Sequence, residues 1–133
     1  MKRLLVVLAL TVPVFADTAL FSKYEAVRQG LLKNRLGDVQ KNAAALAHDA
    51  EAAKLPAIAE FAQSVSVAKN LADARRSFGV LSEEMIKIRD TAGTPKPAVY
   101  HCPMVKKSWL QAKGKVGNPY DAAMATCGEL KAE

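Results

Sequence analysis

The segment YHCPMVKKSW, residues 100 to 109, gathers His101, Cys102 and Met104, and a second segment, MATCGEL, carries Met124 and Cys127. Thiolates and thioethers are soft ligands, which select monovalent copper or silver over magnesium, calcium or manganese. Pro103 holds Cys102 extended, so the Cys102 and Met104 sulfurs are expected to project to a similar side. The tail therefore offers a thiol–thioether pair twice, Cys102 with Met104 and Met124 with Cys127, and His101 adds an imidazole. Lys106, Lys107, Lys113 and Lys115 would repel a bare cation, but two thiolates around one monovalent ion leave a net negative site that lysines neutralise. Ordinary solvated lysines are the simpler explanation of the same run.

The two cysteines support a second chemistry. In a small exported domain a pair of cysteines commonly forms a disulfide, and closing a loop of about 26 residues would add about 3.5 kcal/mol in the chain-entropy account. Oxidation to a Cys102–Cys127 bridge removes both thiolates and leaves His101, Met104 and Met124 as a weaker set. A bridge that is reduced before metal loading would combine the two chemistries. Sequence leaves all three open.

The compartment decides which applies. Lys2 and Arg3 precede an apolar run, Leu4 to Phe15, followed by Ala16 and Asp17. That is the pattern of a signal peptide over residues 1–16, cleaved after Val14-Phe15-Ala16. The alternative is an uncleaved N-terminal anchor, although the run is shorter than the roughly 20 apolar residues of a membrane-spanning helix. The expected product is a periplasmic or secreted protein with no stable membrane insertion. Residues 17–133 are then enough for one domain and too few for two. The formal charge of +6 falls to +4 when Lys2 and Arg3 are removed. The basic residues are scattered and not interleaved with aromatics, which argues against a nucleic-acid partner.

The elements that must position the sulfurs read as helices. Leu20, Tyr24, Val27 and Leu31 recur at steps of four, three and four and paint one stripe on a helix from about Thr18 to Lys33. Gly37 breaks the chain, Asp38 suits an N-cap, and Val39, Ala43, Leu46, Ala50 and Ala53 carry the spacing to about Lys54. Pro56 fits the first turn of a third helix bearing Ile58, Phe61, Ala62 and Val65. Asn70 restarts or continues it, and Leu71, Ala74, Phe78, Leu81, Met85 and Ile88 form a seam ending at Gly93, Pro95 and Pro97. No strand-like alternation competes. The segment GNPYDAAMATCGEL suggests one more short helix, capped by Asn118, with Pro119 at its first position, Asp121 in its first turn and Gly128 after its end. On it Tyr120, Met124 and Cys127 would share a face, an arrangement that suits core packing as well as a metal site.

Other residues read more plainly. His48 is a solvated or edge histidine, with Glu51 as its one acidic neighbour at a helical step. Trp109 either shields a copper site or anchors a loop to the core. Arg75, Arg76, Glu83 and Glu84 look like a solvated helix face. There is no Gly-rich phosphate loop, no zinc-helix histidine pair, no Gly-x-Ser-x-Gly and no local Cys-x-x-Cys, so no enzymatic activity is expected.

Taken in order, YHCPM, WLQ, NPY and MATCGEL in the tail, with YEAVRQGLLKN and ARRSFGVLSEEM upstream, resemble a family of exported helical domains of unknown function. Members occur alone or attached to periplasmic adaptor subunits of heavy-metal efflux pumps. The stretch between CPM and WLQ, Val105 to Ser108, is shorter here than the family's Gly- and Asp-bearing loop. The resemblance implies a helical bundle whose Cys-Pro-Met and Met-x-x-Cys-Gly segments come together, a role in copper(I) or silver(I) handling, and an efflux adaptor or other periplasmic protein as partner. The expected architecture is all-α. Residues 17–93 would form an antiparallel four-helix bundle, with a Cys/Met tail segment over 94–133 whose short helix packs against it.

Overall fold

The computed structural model describes residues 15–133. The signal peptide expected over residues 1–16 therefore lies almost wholly outside the described residues. Four helices follow one another: α1 (Phe15–Leu32), α2 (Leu36–Ala52), α3 (Pro56–Ser66) and α4 (Leu71–Lys87). The stripe Leu20, Tyr24, Val27 and Leu31 is buried on α1, and Val39, Ala43, Leu46 and Ala50 face it from α2. Gly30 allows that approach, since a Cβ there would stand 2.8 Å from Val39 Cγ2. Pro56 opens α3 at a position whose N–H has no helical partner. Asn70 is the N-cap of α4, its side chain accepting from the Asp73 N–H at 2.8 Å. Asp38 does not cap α2: that helix starts two residues earlier, with Gly37 and Asp38 in its first turn. No described helix is long and apolar enough to cross a membrane.

The chain is not all-α. After a 3₁₀ turn at Arg89–Ala92 it forms an antiparallel sheet of three strands, β1 (Ala98–Cys102), β2 (Lys107–Gln111) and β3 (Glu129–Ala132), in the order β2-β1-β3. The architecture is therefore mixed, four helices carrying a small sheet. In β1 the side chains of Ala98, Tyr100 and Cys102 are buried while Val99 and His101 are half-buried, the period-two alternation of a strand. Five residues of that kind, three of them Ala, His and Cys, carry little strand propensity by themselves, and pairing on both edges supplies what local preference does not. The turn between β1 and β2 closes with the Lys106 N–H on the Cys102 carbonyl at 2.8 Å and Lys106 at φ 56°.

The expected terminal helix is also absent. Only Ala122–Met124 turns, as a 3₁₀ helix, and its cap is Asp121, which accepts from the Ala123 N–H at 2.9 Å. Asn118 instead closes the loop, accepting from the Tyr120 N–H at 2.8 Å and donating to the Cys127 carbonyl at 3.1 Å. An isolated helix of two turns is marginal. Here the segment is bent into a hook that returns Cys127 and β3 to the edge of β1.

The sheet completes the core. Consecutive helices pack as neighbours, whereas α1 and α4 meet through large side chains, with Tyr24 and Phe78 stacked at 4.8 Å between centroids. Strand β2 lies against α4 and inserts the fully buried Trp109 and Leu110. The Tyr24 hydroxyl links the layers, 2.6 Å from Ser82 Oγ and accepting from the Leu110 N–H at 3.1 Å.

Candidate functional site

Cys102 ends the central strand, and a disulfide joins it to Cys127 in the hook, with the Cα atoms 5.4 Å apart. The bridge brings the two sulfur-bearing segments together. Met104 lies in the β1–β2 turn, two residues beyond Cys102, and is 68% exposed. Met124 ends the 3₁₀ turn, half-buried, and its carbonyl accepts from the Cys127 N–H at 2.9 Å. Cys102 has no exposed surface and Cys127 is half-buried. Both methionines thus belong to turns anchored directly on the bridged cysteines.

His101 is not part of this gathering. Strand alternation turns it to the opposite face of the sheet from Cys102. There its Nδ1 pairs with Ser108 Oγ at 2.8 Å, and its cross-strand neighbours are Ser108 and Glu129. Nor do Tyr120, Met124 and Cys127 share one helix face, because the helix that would align them does not form. Tyr120 is buried, donating to the Ser108 carbonyl at 2.5 Å, with the Lys107 ammonium 5.2 Å from its ring centroid. Lys113 pairs with Glu133.

Trp109 is buried on the sheet face that carries Cys102. Its ring lies 6.0 Å from those of Tyr100 and Tyr120, and its Nε1 donates to Gln111 Oε1 at 2.9 Å. Beside Cys127, Gly128 packs on the same indole, where a Cβ would come within 2.8 Å of Cη2.

A second set of residues, which the sequence offered as surface or left unremarked, fixes the hook to the helices. Gln111, 3% exposed, accepts from the Gly117 N–H at 3.0 Å and donates to the Lys115 carbonyl at 2.9 Å. Arg28, 6% exposed, donates to the Gly117 carbonyl at 2.7 Å and is held by Glu25. Arg75 is no solvated face residue: it donates to the carbonyls of Pro119 and Leu31, both at 3.0 Å, and to Asn34 Oδ1 at 2.6 Å. The signal for Arg28 was its place one helical step from both Tyr24 and Leu31, at the edge of the buried stripe. Every buried side-chain polar atom among the described residues has a partner.

Among the described residues no three His, Cys, Asp or Glu side chains gather to hold a metal. The donor chemistry at this end is sulfur alone: two thioethers while the bridge is closed, and two thiolates more once it is opened. That set suits a soft monovalent ion and not a hard divalent one. Two surface grooves lie away from this end. One runs between α1 and the segment before β1, past Phe21, Pro95, Pro97 and Ala112, and another crosses α2 and α3 beside Glu51, Glu60 and Val67.

Burial holds the Tyr24 phenol well above its ordinary pKa and does the same to Tyr120. Both hydroxyls stay protonated at neutral pH and serve as structural donors and acceptors.

Comparison of the chain with protein-family models, with curated proteins and with solved structures finds no match.

Proposed function

We propose that this is an exported binding protein, not an enzyme, that handles monovalent copper or silver through Cys102, Met104, Met124 and Cys127. The observation that carries the reading is the bridge between two cysteines 25 positions apart in sequence, each followed or preceded within three residues by a methionine in an adjoining turn. In the bridged form the exposed Met104 and the half-buried Met124 are the available soft donors. Reduction adds two thiolates to this set and raises the affinity for a soft ion. His101, on the other face, is left out of the set. The signal-like start supports a periplasmic or secreted location, and the family resemblance supports an efflux adaptor or another periplasmic protein as the partner that receives the ion.

Mass spectrometry of the protein purified from the periplasm, for thiol state and bound metal, followed by copper(I) titration against a chelator, tests this. The expected result is weak uptake by the bridged protein and one tightly held ion per chain after gentle reduction. No uptake in either state refutes it.

A second reading is favoured by the complete burial of Cys102 and by the packing of Gly128 on Trp109. In it the bridge is a permanent staple, and the domain is an interaction module with no metal role. Under that reading the bridge resists reduction in the folded protein, and replacing Met104 and Met124 together leaves every property of the domain unchanged.

A further inference from the structure

We propose that an external thiol opens the bridge by attacking Cys127, with Cys102 as the leaving group. The two halves of the bond have unlike surroundings. Cys102 is fully buried at the end of the central strand, on the face that also carries Tyr100 and Trp109. Cys127 is half-buried on the hook, where Ala122, Ala123, Ala125 and Thr126 are all exposed.

Thiol–disulfide exchange needs the incoming thiolate to approach its target sulfur from the side opposite the departing one, and access helps decide which sulfur is struck. Toward Cys127 that approach comes over the exposed hook. Toward Cys102 it would come through the packed inner face of the sheet, which must open first. Burial disfavours a departing Cys102 thiolate, and its cross-strand neighbour Lys107 favours one. Access therefore decides between the two sulfurs.

The reductant is a dithiol, small or protein-borne. Its first thiolate bonds to Cys127 Sγ as the Cys102–Cys127 bond breaks, and the released Cys102 thiolate takes a proton from water. Its second thiol then displaces Cys127. The dithiol ends as a disulfide and both cysteines end reduced, a transfer of two electrons. This step supplies the reduction on which the proposed metal loading rests, yet it is measured without metal, so failure of one and failure of the other are separate results.

Glutathione lacks the second thiol, so its mixed disulfide resolves only by a second glutathione or by re-closure of the bridge and can be trapped by an early quench. The folded, oxidised protein is incubated with glutathione, quenched early with acid and N-ethylmaleimide, and mapped by peptide mass spectrometry. Glutathione is expected on Cys127 and maleimide on Cys102, in at least about tenfold excess over the reverse, with the preference lost in guanidinium. As a second measurement, Cys127 in Cys102→Ala is expected to react with an aromatic disulfide reagent at least about tenfold faster than Cys102 in Cys127→Ala; circular dichroism verifies that both variants fold. Equal labelling in the folded protein, an excess on Cys102, or no mixed disulfide before unfolding overturns the proposal.

Discussion

Gly128 lies so close to the indole of Trp109 that a Cβ at that position would stand 2.8 Å from Cη2 and 2.7 Å from Val116 Cγ1. The ring cannot swing away: it is fully buried and tethered through Nε1 to Gln111. Gly128→Ala is therefore expected to destabilise the fold by about 1–3 kcal/mol, as overpacking does. A thermal melt that does not move would mean that the hook shifts freely over the indole.

The bridge constrains the hook in the unfolded chain as well as the folded one. Replacing Cys102 and Cys127 together by alanine is expected to lower stability by about 3.5 kcal/mol, the entropy of closing that loop. The four helices have their own contacts and should persist. Urea titration of the variant checks the magnitude, and its far-ultraviolet circular dichroism checks the helices. Loss of the helical signal in the absence of denaturant would show that the sheet end holds the bundle together.

Gln111 accepts from both the Trp109 indole N–H and the Gly117 N–H inside the fold. Gln111→Leu is close in size but leaves those two donors and the guanidinium of Arg28 without their shared oxygen. A loss of about 3 kcal/mol is expected, because each stranded buried donor costs about 1–3 kcal/mol. Chemical denaturation measures it, and a loss below about 1 kcal/mol would mean that water takes over the site.

Alkaline pH should act through the buried phenols. The folded-state pKa values of Tyr24 and Tyr120 lie above the ordinary value of 10.0, mainly through burial. The folded state therefore keeps protons that the unfolded state gives up. Their contribution is complete below the unfolded pKa and declines as pH rises from there toward the folded values. Stability is expected to fall above about pH 10, with two phenols ionising only as the chain unfolds. Absorbance at 295 nm alongside denaturation would detect this. Free ionisation of Tyr24 and Tyr120 in the folded protein would contradict it.

The helices were legible because each buries a long stripe: Leu20, Tyr24, Val27 and Leu31 repeat over enough turns for the spacing to be unmistakable. The sheet was not. Ala98 to Cys102 spans five residues, and Glu129 to Ala132 is a short strand whose side chains are largely exposed, so the first lacks an alternation of apolar and polar residue types and the second alternates over four residues only. In the tail, Asn-Pro-Tyr-Asp carries real helix-start chemistry, but Asn118 uses both ends of its amide to fold the hook onto Cys127 and Tyr120. The cysteine pairing was within reach as one alternative because the chain has only two cysteines. That His101 faces away from Cys102 was hidden for the reason the sheet was missed, since a strand sends consecutive residues to opposite faces.

Arg75 binds one carbonyl at the end of α1, the amide oxygen that follows it in Asn34, and the Pro119 carbonyl at the root of the hook. One guanidinium thus serves as a rivet through three stretches of chain. A pull on the hook, by a partner or by release of its sulfur clasp, would bear directly on the corner between the first two helices, because the same side chain holds both.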